Sequence, residues 1–240
     1  MTTKLLLYLF VLTTLSVESA VGQTANAWSR FIDVDLGIGK SEGNLSAAFI
    51  YERRLGEKQK FGVGTGIRFT SYLGKNQYYA TAPAKLTSGE TGPQVLFIEN
   101  IKENMDTFLV KTAQVNALNI PVYLSYKLSD KFLIGFNIDL IGFSFGAKAR
   151  GNYINGFQGM ITDGKPTAFN ILLVSDNDLG TLNSGLYGKF TLWEKIALKG
   201  GMQFLFTEYT TETKVQQFPE ANDRFRNKSL LFAVGVSFDL

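Results

Sequence analysis

The sequence contains no cysteine and no histidine. Their absence rules out Ser-His-Asp and Cys-His nucleophilic mechanisms and any histidine-ligated zinc site, and it removes disulfides and a cysteine-borne lipid anchor together. There are only five prolines in 240 residues, so few points interrupt regular backbone. Beyond the N-terminal region no apolar run approaches the roughly 18 residues that a membrane-spanning helix needs, and a helical membrane protein is not expected. The net charge of +3 is small and scattered, which gives no footing for nucleic acid.

The N-terminus reads as a secretory signal peptide. A lone Lys4 precedes the apolar run Leu5 to Leu15, and a short polar region with the small residues Ala20 and Gly22 follows. Cleavage is expected between Gly22 and Gln23, which divides the chain into a signal at 1–22 and one domain at 23–240.

From Trp28 onward the pattern is alternation of large apolar with small or polar residues, the period of a strand with two unlike faces. The clearest case is Leu230 to Leu240, where Leu230, Phe232, Val234, Val236, Phe238 and Leu240 alternate with Leu231, Ala233, Gly235, Ser237 and Asp239. Similar strands are expected at 28–40, 45–55, 60–72, 118–126 (with 108–117 as an extension), 132–140, 183–192 and 196–207. Short turns follow the second, fourth and sixth; the loops 73–107, 146–181 and 208–227 follow the third, fifth and seventh. An even number of strands, with the short turns all on one side, fits an eight-stranded antiparallel up-and-down transmembrane β-barrel with short periplasmic turns and long extracellular loops, an all-β fold. Period two does not say which face points inward, so a soluble barrel with an apolar interior is the alternative. Volume decides: eight strands enclose a space that side chains just fill, and the many Phe, Leu and Ile of the apolar face would overfill it. The apolar face is therefore outward, in lipid, and the last strand pairs with the first to leave no open edge. The expected location is the outer membrane of a Gram-negative bacterium.

Leu118-Asn119-Ile120-Pro121-Val122-Tyr123-Leu124-Ser125-Tyr126 resembles the apolar-x-Ile-Pro-x-x-Leu-x-Tyr strand of the PorT-like outer-membrane β-barrels, with Ile120, Pro121, Leu124 and Tyr126 carrying the likeness. Together with the signal peptide, the glycine-alternating strands and the Gly235-Val236-Ser237-Phe238 ending, the similarity to PorT-like and OmpA-type barrels spans about 28 to 240. Some PorT-like relatives serve protein secretion, but no residue here carries that role over. Pro121, in mid-strand, is expected to mark a bulge or a break in pairing.

Several short motifs dissolve on inspection. Gly39-Lys40-Ser41 lacks the glycine and the helix of a phosphate loop, Gly62, Gly64 and Gly66 alternate within one strand, and Asp176, Asp178 and Gly180 lack a calcium loop's remaining ligands. Asp33, Asp35, Glu52, Asp139 and Asp239 share the inward face with Arg54, Arg68, Lys127, Lys189 and Lys199, as many acids as bases. They are expected to form a neutral network inside the barrel. That role is simpler than a paired-carboxylate hydrolase, and neither enzymatic activity nor a cofactor is expected. Trp28, Tyr51, Tyr126, Phe132, Trp193 and Phe238 fall at the short-turn ends of the strands, as a membrane-interface aromatic girdle, with Arg53 beside Tyr51 able to reach the headgroups.

Two functions stay open. One is a structural or surface-interaction barrel with specificity in its loops; the other is a conduit or binding protein for a small or apolar ligand, or an accessory barrel in secretion. The loops mix Tyr78, Tyr79, Tyr153, Phe157 and Phe169 with Lys75, Lys85, Lys148, Arg150 and Lys165, which suits lipopolysaccharide phosphates or a partner protein. The expected partners are outer-membrane lipid and lipopolysaccharide, the barrel-assembly machinery and a protein at the loops, around a monomer.

Overall fold

The computed structural model of the chain describes residues 28–240 apart from 93, 95–96, 155–159 and 174, so the signal segment and Phe157 lie outside the described residues. Eleven strands are formed: β1 (Trp28–Ile38), β2 (Glu42–Leu55), β3 (Phe61–Thr81), β4 (Thr107–Lys127), β5 (Phe132–Phe145), β6 (Ala149–Tyr153), β7 (Ile161–Pro166), β8 (Phe169–Ile171), β9 (Leu182–Trp193), β10 (Ile196–Thr211) and β11 (Arg224–Asp239), with one helical turn, α1 (Ala84–Thr87). Eight of them close a ring of antiparallel pairs: β1–β2–β3–β4–β5–β9–β10–β11, with β11 returning to β1. Among the described residues no helix is long and apolar enough to cross a membrane.

Around this ring the alternation resolves as the volume argument requires. Ile32, Val34, Leu36, Phe49, Ile67, Phe69, Ile134, Phe136, Leu186, Leu198, Phe204, Phe232 and Val234 are exposed on the outer wall. Asp33, Ser46, Arg68, Asn119, Ser125, Asn137, Asp139 and Ser237 are buried inside it. Inward glycines make the remaining room: a Cβ at Gly135 would fall 2.4 Å from Cζ of Tyr187, whose ring occupies that space. The ladder breaks at Pro121, where the β4–β5 register shifts between Ile120 and Pro121. The freed carbonyl of Pro121 accepts a hydrogen bond from Oγ1 of Thr65 at 2.9 Å.

The expected loops are more ordered than alternation suggests. β3 runs on to Thr81, β10 to Thr211, and β11 begins at Arg224; the region expected as the loop 146–181 contains β6, β7 and β8. These extensions close a second, narrower ring of six strands, because the β1–β2 hairpin stops at Ile38 and Glu42 and β11 pairs above it directly with β3 (Phe225 with Thr81). The circuit is completed by β3–β4, β4–β6, β6–β7, β7–β10 and β10–β11. Its interior is apolar: Tyr79, Phe108, Val110, Ala113, Val115, Tyr153, Leu205, Tyr209, Val215 and Phe225 pack into one cluster.

On two adjacent strands a phase slip falls within the apolar part of the interior, beyond Tyr72 on β3 and beyond Val115 and Ala113 on β4. Lys75 and Asn76 are both exposed, as are Lys111 and Thr112 opposite them, so inward positions on β3 change from Tyr72 and Gly74 to Gln77 and Tyr79. Asn76 takes the left-handed conformation that such a step requires (φ 52°), one that asparagine tolerates better than most residues. Gln216, fully buried, ties the loops over this cap. Its amide donates to the carbonyls of Asn104 (2.8 Å) and Phe218 (2.9 Å), and its oxygen accepts from Thr81 Oγ1 and Asn222 Nδ2, both at 2.9 Å.

Since the cap has its own core, it should loosen separately from the ring beneath. Phe108→Ala, which removes a fully buried ring, is expected to cost about 3–5 kcal/mol. Hydrogen exchange should rise in β6, β7 and the adjoining part of β10 while amides near Trp28 and Phe238 stay protected; uniform deprotection would show that the two rings are one cooperative unit.

Candidate functional site

The inward charges separate into groups. Glu52 and Arg54 pair at 2.8 Å at the short-turn end, with Ser125 Oγ donating to Glu52 at 2.9 Å. Next comes an apolar layer of Phe31, Ile50, Tyr123 and Tyr187, with Leu133 against it. Above it Lys199 donates to Asp33 (2.5 Å) and Asp35 (2.9 Å). A further layer centres on Arg68, which reaches Asp139 Oδ1 through Nε (3.0 Å) and Nη2 (2.5 Å) and Asn137 through Nη1 (2.6 Å). Asp139 Oδ2 accepts from Asn119 Nδ2 (2.7 Å) and from the backbone N–H of Asn183 (2.9 Å). Buried carboxylate and guanidinium thus carry several hydrogen bonds each, the condition under which a charge pair tolerates burial. Asn44 and Gln203, joined at 2.8 Å, lie between this layer and the cap.

Three of the ten charges stand apart from the expected network. Lys127 pairs with Asp130 in the exposed turn (2.9 Å), because it is the last residue of β4 and its stem reaches solvent. Asp239 is exposed at the end of β11. Lys189 has no carboxylate within ion-pair distance among the described residues; its ammonium stands 3.9 Å from the centre of the Phe31 ring. All three line an open vestibule of about 360 Å³ with Arg54.

Trp28, Tyr51, Tyr126, Phe132, Trp193 and Phe238 are exposed at the short-turn end. Trp28 and Tyr51 stack at 4.5 Å, with the Arg53 guanidinium 5.4 Å from the Trp28 ring. A second aromatic row stands at the opposite edge of the apolar wall, including Phe69 with Phe145 and Phe143 with Phe169. Of the motif on β4, Ile120, Leu124 and Tyr126 are outward and exposed, while Pro121 is buried at the bulge. Tyr79 and Tyr153, expected as loop surface, are buried in the cap core, because the strands extend through them.

Sequence reasoning missed the charged cluster on the cap's outer wall. Arg224, Arg226 and Lys228 continue the outward face of β11 beyond Leu230, and the backbone at Asp176–Asp178 lies over them. Glu208, fully buried, receives Arg224 Nε (2.8 Å) and Arg226 Nη2 (2.8 Å). Lys228 pairs with Asp176 at 2.5 Å, and the backbone carbonyl of Asp178 accepts from both Arg224 and Arg226. Burial raises the Asp178 carboxyl above its ordinary range, against the opposing pull of the Leu173 N–H and Arg226. A visible signal was present: Arg224-x-Arg226-x-Lys228 has the strand period and shares the parity of Leu230.

The Arg68 layer yields a stability test. Arg68→Ala strands the Asp139 carboxylate and should cost about 3–5 kcal/mol in denaturant unfolding of the detergent-folded protein. The double variant Arg68→Met with Asp139→Leu should recover most of that loss; an additive loss would show that the pair is not coupled.

No known family's sequence profile matches the chain, and no curated protein matches it. Among solved structures it is similar to Neisserial surface protein A (8% identity, TM-score 0.40, covering 91% of this chain and 100% of that one). It is also similar to Ail, the attachment invasion locus protein of Yersinia pestis (8%, 0.37, 89% and 97%), and to a FadL homologue of Pseudomonas aeruginosa (11%, 0.24, 88% and 75%). Superpositions this loose carry no function from those proteins to this chain.

Proposed function

We propose that this is an outer-membrane β-barrel protein of a Gram-negative bacterium, sealed along its axis, whose role is structural or one of surface interaction. The observation that carries this reading is the pairing of an unbroken apolar outer wall, bounded by two aromatic rows, with an interior filled at three levels. Water would leave the wall's apolar area unburied; in lipid, a closed ring of strands satisfies its backbone and needs no other cover. The Phe31–Tyr123–Tyr187 layer, the Arg68 layer and the cap core each cross the axis, which argues against a conduit. Specificity then belongs to the outer end, where the cap and its loops stand clear of the apolar band. The strand around Ile120-Pro121 supports kinship with PorT-like barrels, and no catalytic role is assigned. Expected partners are the assembly machinery, lipopolysaccharide and a protein at the loops, around a monomeric barrel.

The conduit reading has one observation in its favour. Gly188 and Gly200 face each other in register on the outer wall and leave an apolar groove flanked by Phe132, Leu186, Phe190 and Met202. That groove suits an acyl chain lying against the wall, with the buried Lys199 and Tyr187 behind it.

Two outcomes are expected. The protein reconstituted in planar bilayers should show no steady single-channel conductance; a large, stable one would overturn the sealed-barrel reading. Val234→Arg, midway along the outward face of β11, should cost about 2–4 kcal/mol of folding stability in lipid, while Ala233→Ser on the inward face changes it little; equal effects measured by denaturant titration in vesicles would place the wall outside lipid.

A further inference from the structure

The wall has a gap where the two rings meet. β5 pairs with β4 as far as Asn116 and β6 resumes the pairing only at Val110, so the β4 edge between them has no strand beside it. The Tyr209 hydroxyl closes this gap from inside, bonded to the N–H (3.1 Å) and the carbonyl (3.0 Å) of Gln114. On the outer side it opens as a cavity of about 540 Å³, lined by Lys111, Gln114, Lys148, Arg150, Asn152 and Ile161 among others. Among the described residues that line it there is no Asp or Glu. Lys111, Lys148 and Arg150 are all exposed, and the exposed Lys75 stands beside Thr112 in the β3–β4 register. Strand geometry crowds this charge. Val110 opposite Gly151 is the last β4–β6 pair, so Lys111 and Arg150 come next on either side, and like charges facing each other across a strand pair are destabilising. Local acids do not cancel them. Lys148 is held by Glu212, Arg150 engages Asp163 through Nε alone at 3.4 Å, which leaves both Nη groups open, and Lys75 and Lys111 have no ion pair among the described residues. An accessible concave cluster of one sign draws an anion, and an arginine fork beside ammonium groups suits the oxygens of a phosphate. The side chains of Gln114 and Asn152 make no hydrogen bond among the described residues, and their amides can serve hydroxyl groups next to that phosphate.

Height along the wall decides what carries the phosphate. Leu73 and Phe145, both exposed, are the apolar residues that precede the cluster on β3 and β5; Leu73 pairs with Gln114, and Phe145 packs with Phe69 in the outer aromatic row. We propose that the cavity binds a phosphate of the outer leaflet's glycolipid, held between Lys111 and Arg150 with Lys75 and Lys148 beside them, its sugar hydroxyls on Gln114 and Asn152. The site rests on the reading given above that the apolar wall lies in lipid, which puts the aromatic row at the interface and the cluster at headgroup height. A phosphate there offsets the repulsion between Lys111 and Arg150 that the seam otherwise carries.

The test is native mass spectrometry of the full mature chain, refolded in a neutral detergent free of lipopolysaccharide and titrated with diphosphoryl lipid A. One lipid should bind saturably, and added salt should weaken it. Lipid A stripped of its phosphates should bind at least roughly tenfold more weakly, and the double variant Lys111→Gln with Arg150→Gln should weaken diphosphoryl lipid A by a similar factor. Both positions are exposed, and heat-dependent gel migration checks that the variant is folded. Lys58→Gln with Lys102→Gln, which removes the same charge from exposed positions elsewhere, should leave binding unchanged. Absence of saturable binding overturns the proposal, as does equal binding of the dephosphorylated lipid, binding that survives the Lys111 and Arg150 changes, or an equal loss in the Lys58 and Lys102 variant. Glucose 6-phosphate displacing lipid A at matched concentration would assign the site to a free acidic sugar and overturn the leaflet as its source. Failure of the membrane reading would appear separately, as a chain that stays in solution without detergent.

Discussion

Every strand of the two rings has a hydrogen-bonded neighbour on each side, and most of the structure follows from how that need is met. A backbone edge left open beside an apolar wall has no water to satisfy it. The wide ring meets the condition by returning β11 to β1. Where the β1–β2 hairpin ends, β11 would be left open, and it finds β3 instead. On the far side β5 leaves β4 at Phe145 and β6 takes up the pairing from Val110. At that seam Tyr209 bridges from inside, its hydroxyl serving both the N–H and the carbonyl of Gln114. The narrower cap is therefore what two unequal hairpins require when no edge is left bare.

The inversion of polarity between the rings follows from their setting. In the wide ring the apolar residues face outward and the interior is left to charges and amides, which hydrogen-bond one another in layers. In the cap the outer wall carries Lys75, Lys111, Arg150 and Lys228, and the interior closes on aromatic rings as in any water-soluble small barrel. One chain thus contains both barrel types that alternation alone could not separate.

That is also where the sequence was legible and where it was not. Strand positions, turn ends and face assignment of the wide ring could be read because a single phase of period two runs through each strand, as from Leu230 to Phe238. The cap was hidden by the phase slips at Lys75-Asn76 and Lys111-Thr112, across which one strand looks like two unrelated segments. Its buried aromatics, Tyr79 and Tyr153, sit in stretches whose polar neighbours read as loop. The inward charges were legible as a set but not as partners, since pairing depends on register across strands: Arg68 meets Asp139 from β5, and Lys199 meets Asp33 from β1. The outer-wall cluster depends on Asp176 and Asp178 lying back over β11, a long-range placement with no local pattern to announce it.

The β3–β11 pairing also sets an order of events. It joins residues from opposite ends of the domain, and the cap core draws Phe108, Tyr153, Tyr209 and Phe225 from four different strands. None of that core can be completed before the last strand arrives, so the cap's apolar residues stay uncovered for as long as the chain is threaded but unclosed. Closure of the wide ring and burial of the cap core are in this sense a single late step, and a chain stalled before it exposes both an open β-edge and a set of aromatic side chains, the two features that holding chaperones recognise.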